Sequence, residues 1–147
     1  MSVAFRRESD EEHLEPRFEL PIPPGPNLVT AAGPALIAAR IAALEATEAD
    51  DRTPIDRELR YWRTRAATAE VVTPPGDGTV GIGSTVRFRL AGKERALTVV
   101  GHDEADGEER IGYAAPLARA MMGLEAGDLA DFQGRADAIE ITSVEPV

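Results

Sequence analysis

The run Pro74-Pro75-Gly76-Asp77-Gly78 divides the chain into two segments whose apolar residues repeat with different periods. No regular element runs through it, because proline lacks a backbone donor and disfavours helix at the residue before it. Before the break the period is helical. Leu36, Ile37, Ile41 and Leu44 share one stripe, with Arg40 and Glu45 beside it. Thr30 or Gly33 is placed to cap this helix, and Pro34 suits its first turn. A second helix opens at Thr53-Pro54-Ile55-Asp56, with Thr as cap, Pro at the first position and an acid facing the helix dipole. Its stripe of Ile55, Leu59, Trp62, Ala66 and Ala69 is spaced 4, 3, 4 and 3, the seam of a coiled coil. Arg57, Arg60, Arg63 and Arg65 fall off that seam and are expected to face water. The polar residues Ala49 to Arg52 join the two stripes, so residues 27–73 are predicted to form a short antiparallel helical hairpin. Each arm has about sixteen residues, or about 24 Å. Arms that short are marginal in water, so the hairpin is expected to lean on the rest of the protein.

Beyond the break the pattern alternates. Thr85 to Leu90 puts Val86, Phe88 and Leu90 on one face, Ala91-Gly92-Lys93 turns the chain, and Arg95 to Val100 supplies the partner strand. Arg110 to Ala114 is a third strand. Pro116 opens a short helix, Leu117 to Met122, that ends at Gly123. Asp131-Phe132 and Ala138 to Val144 complete a small, mostly antiparallel sheet over residues 79–147. The fold class is therefore α+β. Residues 1–26 hold the charged stretch 6–12 and Pro21, Pro23, Pro24 and Pro26. They read as a disordered, Pro-rich acidic tail, having too few apolar groups to offset its ordering entropy.

The net charge of −10 disfavours autonomous nucleic-acid binding, since an acidic chain gains nothing from counterion release. A basic protein surface or a metal ion is the better partner. No apolar run is long enough to span a membrane, and Met1 to Asp10 carries no signal-peptide core, so a cytoplasmic protein is expected. The absence of cysteine excludes disulfides, thiolate metal sites and Cys nucleophiles. His13 and His102 do not make a metal site unaided. Gly81-Ile82-Gly83 lacks the third glycine of a dinucleotide loop. Asp103 to Gly107 resembles a calcium loop, except that Ala105 stands where an oxygen ligand is needed.

Two features remain. Glu48, Asp50 and Asp51 crowd the turn between the helices, with Asp56 and Glu58 close behind. Clustered carboxylates repel one another, which suits a cation or a basic surface; a hydrophilic turn beside a helix dipole explains them equally well. The second feature runs from Val99 to Asp128, where the acidic loop 103–106 and the Pro116 helix follow successive strands. Both are placed to share one end of the sheet, as an acidic patch beside an apolar ridge. That arrangement suits docking, and an ordinary loop with a packed helix fits the same residues.

Val100, Gly101, Glu104, Ala105, Asp106, Ile111, Pro116, Leu117, Ala118, Ala120, Gly123, Gly127 and Asp128 resemble, in order and spacing, the C-terminal domain of the Gre family of bacterial transcript-cleavage factors. Ser2-Val3-Ala4-Phe5, Pro26 to Thr30 and Arg57 to Trp62 are similar to a short-hairpin, Gre-like subgroup with a Pro-rich leader. The resemblance implies a coiled-coil hairpin and a C-terminal domain of FKBP-like fold. It implies a monomeric accessory factor, not an enzyme, that docks on the rim of the RNA polymerase secondary channel and inserts its hairpin. Asp103, Glu104, Ala105, Asp106, Ile111, Pro116, Leu117 and Ala118 are the implied docking residues. Asp50 and Asp51 are the implied tip ligands for a Mg²⁺ ion shared with the polymerase active site, and no cofactor is expected on the chain alone. Three residues or features depart from the family pattern. The arms are short; the tip lacks the family's aspartate followed by glutamate-asparagine, so Asp50 and Asp51 match by location; and Ala115 replaces the usual serine before the proline. Cleavage of backtracked RNA is one implied activity. A regulator that occupies the channel without cleavage is the alternative, and an FKBP-like fold also raises proline isomerisation, for which only Phe88, Tyr113 and Phe132 are at hand to line a pocket.

Overall fold

The computed structural model describes residues 19–146. The charged stretch 6–12 and His13, assigned to the tail, lie outside the described residues. Asn27–Val29 is a strand, β1, followed by helix α1 at Gly33–Ala46. A six-residue loop, 47–52, leads to helix α2 at Thr53–Thr68, which runs straight into strand β2 at Ala69–Val71. β1 and β2 pair in parallel, Asn27 opposite Ala69 and Val29 opposite Val71. The helical reading of 27–73 is thus corrected at both ends. Helical geometry stops at Ala69, whose ψ is 132°, and the β-branched Val71, Val72 and Thr73 that follow favour extended backbone.

The apolar stripe of α1 is where the spacing put it: Ile37 is fully buried, and Leu36, Ile41 and Leu44 are half-buried. On α2 the seam holds through Ile55, Leu59 and Trp62 and then shifts. Ala66 is exposed, and Arg65, expected in water, is buried. A methyl group has little area to hold a helix face inward, whereas Arg65 finds partners inside. Across the helix pair, Arg63 reaches Glu45 at 3.0 Å and the Arg40 guanidinium lies 5.4 Å from the Trp62 ring centre.

The second half holds five strands: β3 (Ser84–Leu90), β4 (Lys93–Val100), β5 (Arg110–Gly112), β6 (Leu129–Phe132) and β7 (Arg135–Pro146). A 3₁₀ turn at His102–Glu104 follows β4, and helix α3 spans Pro116–Met121. The sheet order is β5-β4-β3-β7-β6, antiparallel except for the parallel β4–β5 pair. Alternation decides the core. Val86 and Phe88, Leu97 and Val99, and Ile139 and Ile141 fill one face, where Val80, Ile82, Ala118 and Met121 cover them. Thr142 is the extra residue of a bulge opposite Arg87 and ties itself down by donating its hydroxyl to the Arg87 carbonyl at 2.9 Å.

Leu90 pairs with Lys93, which leaves Ala91 and Gly92 as a two-residue hairpin turn with φ of 53° and 83°. Two positive φ values define a type I′ turn, natural for Asn-Gly but strained at alanine. Ala91→Asn is therefore expected to raise the unfolding free energy by about 0.5–1 kcal/mol. Urea unfolding should show a higher midpoint with an unchanged slope, and an unaltered midpoint would contradict the strain at Ala91.

Candidate functional site

The 3₁₀ turn after β4 is where the two halves of the chain meet. Gly101 lies against β1 so closely that a Cβ there would strike the Leu28 carbonyl oxygen. With β1 that near, the Glu104 carboxylate accepts the backbone amides of Thr30 and Gly101, each at 3.0 Å, and also the Thr30 hydroxyl. Glu104 is only 3% exposed. Its neighbour Asp103 turns toward α2 and accepts Arg65 Nε at 2.6 Å and the Tyr61 hydroxyl. Both side chains of the Arg65–Asp103 pair are 3% exposed. Arg65 also donates to Asn27 Oδ1 at 2.8 Å, and Asn27 Nδ2 returns a bond to the Arg65 carbonyl at 2.9 Å. Arg65, Asp103, Glu104 and Asn27 thus each find hydrogen-bond partners inside, as buried charge requires.

The sequence expectation of an acidic patch at 103–106 is corrected by this arrangement. The carboxylates of Asp103 and Glu104 point inward and bind the first half of the chain to the sheet. The sequence shows only that Tyr61 and Arg65 stand four residues apart on one face of α2, which does not by itself bring either inside.

The remaining acid of the loop organises it. Asp106 accepts the backbone amides of Glu108, Glu109 and Arg110 at 2.8, 3.0 and 2.9 Å. The amides of Arg110, foremost, and Glu108 hold its pKa down at about 2. Ala105, Asp106 and Pro116 are exposed; Ile111, Ala115 and Leu117 are half-buried. Ala118 is fully buried in the core, so its contribution is to seat α3, and it offers no surface to a partner. Two hollows flank this ridge. One, of about 480 Å³, is lined by Pro23, Pro24 and Pro26 together with Ala105, Ala114 and Ala115. The second, of about 300 Å³, includes Leu97, Ala105, Ile111 and Ala115.

In the helix-joining loop, Glu48, Asp50 and Asp51 are all exposed. Asp51 Oδ1 accepts the Thr53 amide at 3.0 Å at the start of α2, and this bond, with a further one from the Thr53 side chain, holds its pKa below the usual carboxylate range. Asp51 thus supplies the helix cap expected of Thr53. Among the described residues no group of three or more His, Cys, Asp or Glu side chains is arranged to hold a metal ion. A cation at Asp50 and Asp51 would need further ligands from beyond the described residues. No described helix is long and apolar enough to cross a membrane.

Residues 75–146 match the family described as the C-terminal part of the transcription elongation factors GreA and GreB. The chain is 30% identical over 92 residues to the transcription elongation factor GreA of Legionella pneumophila strain Corby, covering 60% of this chain and 58% of the relative. It is 37% identical over 76 residues to GreA of Thioalkalivibrio sulfidiphilus, covering 50% and 48%. Among solved structures, a prokaryotic transcription elongation factor GreA/GreB from Nitrosomonas europaea aligns at 25% identity with a TM-score of 0.41, over 83% of this chain and 99% of that one. The chain spans about half the length of the curated relatives it matches.

Asp103→Ala strands the buried Arg65 guanidinium and is expected to cost about 3–5 kcal/mol, read by chemical denaturation. Tyr61 gives a second test. Burial first, and then the hydrogen bond to Asp103, push its phenol up to about 12. An unfolded tyrosine ionises near pH 10. The folded state keeps a proton that the unfolded state releases, so this stabilisation is complete below about pH 10 and is lost as pH rises toward 12. Unfolding curves measured from pH 9 to 12 should show that alkaline loss in the wild type and a smaller one in Tyr61→Phe; equal slopes would disprove the assignment.

Proposed function

We propose that this chain, whose residues 75–146 match the GreA/GreB C-terminal domain family, is an accessory elongation factor that docks on RNA polymerase and works through the polymerase's own catalytic centre. One observation carries the reading. The family match falls on the sheet, and the buried contacts of Asp103 and Glu104 couple that sheet to a helix pair whose connecting loop presents exposed carboxylates. The sheet domain, read as FKBP-like, supplies the docking ridge through Ala105, Asp106, Ile111, Pro116 and Leu117. Asp103 and Glu104 act in docking by fixing the backbone from which Ala105 and Asp106 project.

The helix pair, read as a short coiled-coil hairpin, enters the secondary channel of the polymerase. There Asp50 and Asp51 lend oxygen ligands to a Mg²⁺ ion whose other ligands belong to the polymerase. In two-metal phosphoryl chemistry such an ion stabilises the attacking and leaving oxygens, and backtracked RNA is cut. The chain needs no complete active site of its own for that task, and the reading makes it a factor instead of an enzyme. Its ligands fit in part: Asp50 is exposed, while one oxygen of Asp51 is engaged by the Thr53 amide.

A second reading is favoured by the size of the helices. α1 and α2 have 14 and 16 residues, or about 21 and 24 Å. A factor with such a reach can occupy the channel and regulate the polymerase without promoting cleavage.

Stalled, backtracked complexes decide between the two. Wild-type protein should release short 3′ RNA fragments, and the double variant Asp50→Asn with Asp51→Asn should slow release at least about tenfold, roughly 1.4 kcal/mol of barrier. Asparagine keeps the helix cap at position 51, so the loss reports charge and not folding. Wild type that binds polymerase, displaces a full-length cleavage factor and releases no fragments would establish the regulatory reading.

A further inference from the structure

Residues 19–26 run beside the docking ridge and are pinned at both ends. At one end, the Glu19 carboxylate accepts two bonds from Arg60, at 2.6 and 3.0 Å. At the other, the Tyr113 hydroxyl donates to the Pro26 carbonyl at 2.9 Å. Between these tethers Pro23 and Pro24, with Pro26, line the cavity of about 480 Å³ that Ala105, Ala114 and Ala115 also line. Four prolines in the segment limit the backbone freedom that pinning removes. The tethers themselves are weak. The Arg60 and Glu19 side chains are 56% and 44% exposed, and surface ion pairs of that kind contribute little. The segment places no residue in the apolar core, and Leu20 and Ile22 stand 38% and 45% exposed.

We propose that residues 19–26 are a displaceable cover over the hollow at the edge of the docking ridge, which a partner must move aside to seat against the half-buried Ala115. The proposal rests on the polymerase-docking reading and adds an autoinhibitory contact to it. A rigid surface entering the hollow toward Ala115 meets Pro23 and Pro24, which line the same hollow. Among the described residues, opening breaks the solvent-exposed Glu19–Arg60 and Pro26–Tyr113 contacts and leaves the sheet core intact. The inhibition is correspondingly modest, about three- to tenfold in affinity.

The chain contains no cysteine, so Ala115→Cys provides one reporter thiol on the covered wall. Its labelling by a small maleimide is compared in three backgrounds: the full chain, the full chain with Glu19→Gln and Tyr113→Phe, and the chain lacking residues 1–24. Labelling should be fastest without the segment and intermediate when only its tethers are cut. Equal rates in all three overturn the cover. Polymerase affinity, measured for the same three backgrounds without the cysteine, should tighten about three- to tenfold in the same order. Weaker binding after truncation would make the segment a contact surface and overturn the proposal. If none of the three binds polymerase, the docking reading itself fails, and the labelling rates then report separately whether the segment shields Ala115.

Discussion

The buried pair of Arg65 and Asp103 is the interaction on which the arrangement of this chain depends. Neither side chain is stable inside alone, because an unpaired charge in a low-dielectric interior carries a large desolvation cost. Each is tolerated through the other and through Tyr61 and Asn27, which complete the hydrogen-bonding shell. The pair joins α2 to the turn at the end of β4, and Glu104, one residue on, grips the β1–α1 connection from the same turn. Two adjacent carboxylates therefore face two different elements of the first half. Helices of 14 and 16 residues gain from that anchorage what their own length does not supply.

The same turn starts the surface that the proposed partner would touch. Ala105 and Asp106 follow directly, and Asp106 converts the next bend into a fixed loop by accepting three consecutive amides. Geometry at the ridge is thus continuous with geometry at the helices, through backbone and buried charge. An acid-rich loop proposed for docking need not be an acidic surface. Here two of its three carboxylates hold the architecture together, and the third shapes a loop.

Much of this fold was legible in the sequence wherever burial follows a simple period. Val86, Phe88, Leu97, Val99, Ile139 and Ile141 alternate strictly, and their strands and common face follow from that alone. Ile37, Ile55, Leu59 and Trp62 are equally plain on the helices. Arg65 was not legible, since a period argument sends every charged residue off the seam to water, and only the distant Asp103 makes its burial possible. β1 and β2 were missed for a related reason. Three-residue strands carry no period of their own, and their pairing depends on a contact between positions about forty residues apart. At the candidate site the positions of Asp50 and Asp51 in an exposed loop followed from the helix spacing, but the engagement of Asp51 by Thr53 required the backbone.

Rigidity at the base and exposure at the loop have one physical origin. A carboxylate contributes most to a fold when desolvated and fully paired, and is most available to an outside cation when solvated and unpaired. Asp103 and Glu104 occupy the first condition, with their oxygens taken up by Arg65, Tyr61, Thr30 and Gly101. Asp50 occupies the second, and Asp51 stands between them, one oxygen committed to the start of α2. The acidic balance of the chain is therefore not one property but two. Acids at the sheet end tie the helices to the sheet, and Glu48 and Asp50 in the helix loop stay exposed to solvent. Exchanging the two environments would remove both functions, because a solvated Asp103 could not hold Arg65 inside and a buried Asp50 could not reach a cation.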